Sequence, residues 1–277
     1  MGLRINSNIM SLNVQRHLQR HTARLTRSME RLSSGLRINR AADDPAGLAI
    51  SERMKSQIRA LDVLNRNAAD GISAVQIAEG AMGSIGDQLI RMRELATQSM
   101  NGTLSDTDRS YLDQEFQALK EEITAIGRET SFNGIQLLDG AVGSLTLRVG
   151  IGSAAQGGMV LDMSQDATAG GLSIDSLDIL QASDASAAAA IDGINDAISQ
   201  VSSHRSRMGA YQNRLESVIR QNATLSENLS AANSRIRDVD IAAEMSEMTS
   251  AQILQQAAVS VLAQAMQQPN LILRLLG

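Results

Sequence analysis

Three histidines are the first candidates for chemistry in this chain: His17, His21 and His204. His17 and His21 are four residues apart, a spacing that on a helix presents two imidazoles to one metal ion. They sit among Arg16, Arg20, Arg24, Arg27 and Arg31, and Glu30 is the only acid before Arg40. Cationic repulsion opposes a divalent ion there, so both are read as histidines on a helix surface. Asp43 and Asp44 resemble a carboxylate pair, but Asp44 directly precedes Pro45. That order suits a helix N-cap followed by its first residue. The chain has no cysteine, which removes disulfides, thiolate metal sites and thiol nucleophiles. No glycine-rich phosphate loop, nucleophile elbow or zinc-protease motif occurs. Neither catalysis nor a cofactor is expected.

Charge raises two other possibilities. Met1 to Arg40 carries eight arginines against Glu30, while the whole chain has a net charge of −5. An arginine stripe can track phosphates. However, the chain has only two Phe, two Tyr and no Trp to interleave, and the stripe lies on a coiled-coil-like helix. No nucleic-acid partner is expected. A membrane helix is the second possibility, at Ala251–Gly277. Its polar face carries Gln252, Gln255, Gln256, Gln264, Gln267 and Gln268 rather than the Lys and Arg of an interfacial helix. No stretch approaches the roughly 18 apolar residues of a span. The start, MGLRINSNIMSLNVQRHLQRH, lacks the apolar core and cleavage site of a secretory leader, so export by another route is expected.

The elements that carry these residues read as helices. Leu18, Leu25 and Leu32 lie seven apart, with Thr22, Met29 and Leu36 at the alternate positions of a heptad. A second helix is expected from about Pro45 to Met100. After an Asn101-Gly102 turn, Ser105 and Asp108 form a capping-box pattern opening a third helix to about Gly127. Between about Ser131 and Ser183, Leu145, Leu147 and Val149 alternate, as do Met159, Leu161 and Met163, which predicts a hairpin. A heptad from Ile191 to Ile236 then predicts one helix over about Asp184 to Met245, followed by the tail helix.

The fold class is therefore mainly α: a long antiparallel helical bundle or coiled coil with a small central β-hairpin and nested N- and C-terminal halves. Residues 1–43 and 247–277 are assigned to a terminal coiled-coil domain, and 44–246 to a helical rod. The first helix and the tail each carry an apolar stripe without a local partner, so they are expected to pair. The seam would use Leu18, Leu25, Met29, Leu32, Leu254, Ala258, Val261, Leu262 and Ala265. One such pair buries too little surface to offset the ordering of both helices, so the termini are expected to fold on association with other copies.

Long stretches at both ends resemble bacterial flagellin. They are INSNIMSLNVQRHL with MERLSSGLRINRAADDPAGLAISERM, then IRMRELATQSMNGTLSDTDR and SFNGIQLLDG, and finally SRIRDVDIAAEMSEMTSAQILQQAAVSVLAQAMQQP. The resemblance implies a non-enzymatic subunit of the flagellar filament, self-assembling into a helical polymer outside the cell. It implies terminal helices in an inner tube, the next helices in an outer shell, and no large outer domain. The implied partners are other copies, the type III export apparatus and its chaperone, hook-junction and cap proteins, and the vertebrate Toll-like flagellin receptor. By motif, Arg91, Leu95 and Glu115 match the receptor contacts, while Ile90 stands where the receptor-active pattern has glutamine. Leu273, Leu275 and Leu276 resemble the part read by cytosolic inflammasome sensors, although Gly277 replaces the family's usual Arg. A hook–filament junction protein and a generic coiled-coil scaffold are the alternatives.

Overall fold

The computed structural model describes residues 8–152, 157–180 and 184–276, with the backbone alone for 184–185 and 268–276. Among the described residues, five helices and two small hairpins follow in order: α1 Ile9–Ser34, α2 Pro45–Ser99, α3 Asp106–Glu129, β1 Ser131–Phe132, β2 Ile135–Gln136, β3 Ser144–Arg148, β4 Gly158–Asp162, α4 Asp184–Arg237 and α5 Ile241–Leu276. They form two compact units, one of residues 1–58 with 227–277 and the other of 59–226.

In the 59–226 unit, α2 buries Leu61, Leu64, Ala68, Gly71, Val75, Ala78, Met82, Ile85, Leu89, Met92 and Ala96, an unbroken alternation of three and four residues. The same rhythm on α4 buries Ala187, Ala190, Ile194, Ala197, Val201, His204 and Met208, and steps of seven then bury Leu215 and Asn222. With mostly small and aliphatic side chains, these seams suit helix-on-helix packing. α3 adds Phe116 and Ile123 to the same core. Its start is the expected capping box: Ser105 Oγ accepts from the Asp108 N–H, and Asp108 accepts from the Ser105 N–H. Ser105 also holds the Asp108 carboxyl below its ordinary value.

β3 and β4 pair antiparallel, Leu145 opposite Leu161 and Leu147 opposite Met159. Met159 and Leu161 are buried, whereas Val160 between them faces outward. Both flanking helices hold this hairpin. Asn67 Nδ2 donates to Arg148 O at 3.0 Å, and Asn222 Nδ2 to Val149 O at 3.1 Å. Buried Lys120 donates to Asp175 O at 2.6 Å and Leu177 O at 2.9 Å, fixing the chain that leads toward α4.

Two features depart from the sequence reading. β1 and β2 make a second hairpin around Asn133 and Gly134, at φ 51° and 80°. Asn-Gly is the pair that such a two-residue turn favours. The expected single helix to Met245 instead ends at Arg237, and Asp240 opens α5 by accepting from the Ala242 and Ala243 N–H groups at 3.0 and 3.1 Å. An aspartate cap satisfies amides that a continuous helix would have bonded internally.

Candidate functional site

The 1–58 and 227–277 unit is built on α1 and α5, which pack along one another as the sequence predicts. Asn8 caps α1, its carboxamide oxygen accepting from the Ser11 N–H at 3.0 Å. Its Nδ2 donates to Ala265 O at 2.8 Å on α5. Further along, Gln255 Nε2 donates to Thr22 Oγ1 at 3.2 Å. Gly35 ends α1 in the left-handed region, φ 70°, a conformation that glycine adopts without strain.

Beyond Gly35 the corner after α1 is pinned to the corner after α4. Leu36 bridges Asp238, the Val239 N–H donates to Gly35 O at 3.0 Å, and the Arg37 N–H donates to Arg237 O at 2.6 Å. Arg237 also pairs with Glu52. Asp44 caps α2 by accepting from the Gly47 N–H at 2.9 Å. Asp43 accepts from the Arg40 and Asn39 N–H groups, and with the nearby Arg31 and Arg27 charges these hold its carboxyl below the ordinary range. The acidic pair is thus used in loop and helix capping.

Burial defines the seam. On α1 the least exposed positions are Ser11, Val14, Leu18, His21, Leu25, Ser28 and Leu32, again three and four apart. On α5 they are Glu244, Met248, Ala251, Gln255, Ala258, Leu262 and Ala265. Leu18, Leu25, Leu32, Ala258, Leu262 and Ala265 therefore meet in the seam. The alternate α1 positions are Val14, His21 and Ser28 rather than Thr22 and Met29. Ser28 and Ala251 are the small residues buried most deeply in these rows, so burial here does not follow side-chain size.

Met29, Leu254 and Val261 lie outside that seam. Leu254 is 45% exposed and Val261 46%, and with Ala257 they form a second apolar strip flanking the seam on α5. Ile253 and Val259 on α5, and Ile9, Met10 and Leu12 on α1, are also exposed. A groove of about 650 Å³ beside α1 is lined by Leu18, Thr22, Thr26, Arg27, Arg40 and Asp43 among others. Arg16, Arg20, Arg24 and Arg27 are exposed on α1, whereas Arg31 turns toward α5 and pairs with Glu244. His17 and His21 stack with ring centroids 6.4 Å apart. Among the described residues no helix is long and apolar enough to cross a membrane.

Arg91, Leu95 and Glu115 belong to the other unit. Arg91 Nε and Nη2 reach Glu115 Oε1 at 2.9 and 2.8 Å, and Nη1 reaches Glu94 at 3.2 Å. Arg91 and Glu115 are at the surface, as is Ile90, whereas Leu95 is buried in the core. The side chains of Leu273, Leu275 and Leu276 lie outside the described residues.

Comparisons with known proteins agree with this geometry. A family model described as the bacterial flagellin N-terminal helical region matches residues 5–142, and one for the C-terminal helical region matches 191–276. The chain is 48% identical to a flagellin of Halalkalibacterium halodurans over 98% of its own length and 99% of the relative's. It is 43% identical to a flagellin of Bacillus subtilis over 99% and 100%. A crystal structure of Bacillus cereus flagellin aligns with 61% of this chain and 94% of that one, at 31% identity and a TM-score of 0.50.

Proposed function

Given that the chain belongs to the bacterial flagellin family and is a structural subunit of the flagellar filament, we propose that α1 and α5 are the part of it that polymerises. The observation that carries this reading is the second apolar strip on α5. Leu254, Ala257 and Val261 stay in water when the α1–α5 seam is complete, so a single chain leaves apolar surface that neighbouring copies can cover. Met29 on α1 belongs to the same set. In this arrangement residues 1–43 and 247–277 form the inner coiled-coil domain of the filament, and residues 44–246 form a helical rod. Deleting Ala251–Gly277 tests the assignment: the truncated chain should remain soluble where the full chain sediments as polymer.

The family is structural, and this reading gives the chain no catalytic step, cofactor, nucleic-acid partner or membrane partner. The filament lies outside the cell, and the chain reaches it through the type III export apparatus, with a chaperone. Hook-junction and cap proteins bound its polymer. The Arg91–Glu115 pair is the surface offered to the vertebrate Toll-like receptor, whereas Leu95, matched by the same motif, is buried in this chain. The accessible Arg91 and its carboxylate partner support that assignment, and Ile90 in place of glutamine lowers the expected potency.

A further inference from the structure

Among the described residues, exposed methionines are confined to one of the two units, while Met54, Met100 and Met248 are half-buried. Met82, Met92, Met159, Met163 and Met208, in the 59–226 unit, are all buried. Among the described residues, every exposed methionine lies on α1 or α5: Met10 at 59%, Met29 at 53%, Met245 at 45% and Met266 at 61%. None of the four is on the α1–α5 seam. The chain has no cysteine, so methionine sulfur is its oxidisable sulfur.

We propose that these four thioethers are an oxidant-sensitive modification site that controls polymerisation, with a peroxide as the oxidising substrate. The sulfur lone pair attacks one peroxide oxygen, an S–O bond forms and the O–O bond breaks. Sulfur loses two electrons, and the other oxygen leaves as water after proton transfer. The product, a methionine sulfoxide, is polar and chiral where the parent side chain was apolar and flexible. Within one chain it stays in water and disturbs nothing. At a subunit contact its oxygen must lose water without a prepared donor, which opposes burial. The inference rests on α1 and α5 being the polymerising surface. It adds that this surface carries the exposed sulfur, whereas the other unit buries five of its methionines and half-buries Met100.

The test uses the full chain. Monomer is treated with hydrogen peroxide, its sulfoxides are located by peptide mass spectrometry, and polymer is measured by sedimentation. Oxidation is expected at Met10, Met29, Met245 and Met266 ahead of the five buried methionines, with loss of sedimentable polymer. Repair of the oxidised natural chain by methionine sulfoxide reductase should return sedimentable polymer, and no return would overturn the proposal. Oxidised chain that polymerises as the untreated chain does would also overturn it. Untreated chain that forms no polymer overturns the assembly reading itself, and the inference with it.

Discussion

Arg31 on α1 and Glu244 on α5 form an ion pair, with Nη1 3.4 Å from Oε2, across 213 residues of sequence. Water reaches little of either side chain. The pair sits beside the corner where the Val239 N–H meets Gly35 O, so it closes the base of the coiled coil. Arg31 Nε is buried without a hydrogen-bond partner, which leaves Glu244 as the main compensation for that guanidinium. Glu244→Ala should lower the stability of the α1–α5 unit by about 1–3 kcal/mol, because it leaves a half-buried cation unpaired. Denaturant unfolding followed by circular dichroism measures this, and Glu244→Gln should cost less.

Leu262→Asp places an unpaired charge inside the seam. The expected result is loss of polymer, because the seam of α1 and α5 that folds on association would have to bury the carboxylate at a cost of about 3–5 kcal/mol. Amide-proton exchange over Leu254–Ala265 reads the same event by segment, with protection in polymer of the natural chain and none in the variant.

His204 predicts a pH dependence in the other unit. Its Nδ1 lies 2.6 Å from Arg207 Nη2, so the neutral ring accepts a hydrogen bond there. Burial, then the Arg207 charge, hold the imidazole below its ordinary 6.5, against an upward pull from Asp162. The unfolded chain therefore binds this proton before the folded chain does. Stability should fall as pH drops below about 6.5 and stop falling below the folded pKa. Asp162, held low chiefly by Ser164, adds a second loss as pH falls through and below its ordinary 3.8. Melting temperature against pH checks both, and His204→Gln should remove the first step while leaving the second.

The Arg91–Glu115 pair carries the receptor prediction. Both side chains are exposed, so the ion pair itself adds little stability. Arg91→Ala should leave the melting curve nearly unchanged and reduce the response of a Toll-like receptor reporter to monomer. Ile90→Gln should raise that response. No response from the natural chain, unaltered by Ile90→Gln, would remove the receptor assignment.

Local signals in the sequence were legible, and they match the structure closely. The capping box at Ser105 and Asp108, the cap at Asp44 and the alternation of Leu145 with Leu147 each depend on neighbours a few residues away. The pairing of α1 with α5 was legible too, because each helix had an apolar stripe and no local use for it. The break at Asp238–Asp240 was obscured because the heptad runs unbroken up to Ile236. Its signal was Asp240, an aspartate cap followed by Glu244 in the first turn. Heptad phase on α1 was misread for a different reason. Met29 outranks Ser28 in hydrophobicity, yet Ser28 is buried at the next position of the three-and-four spacing and Met29 is exposed. The corner contact between Leu36 and Asp238 spans two turns about 200 residues apart, and no local pattern announces it.

Electron microscopy of concentrated protein, natural chain beside Val261→Asp, tests the central claim most directly. Val261 faces water in the single chain, so the charge should leave monomer helicity intact. Long tubular filaments from the natural chain and dispersed monomer from the variant are the predicted result. Discrete oligomers from the natural chain, or normal filaments from Val261→Asp, would contradict it.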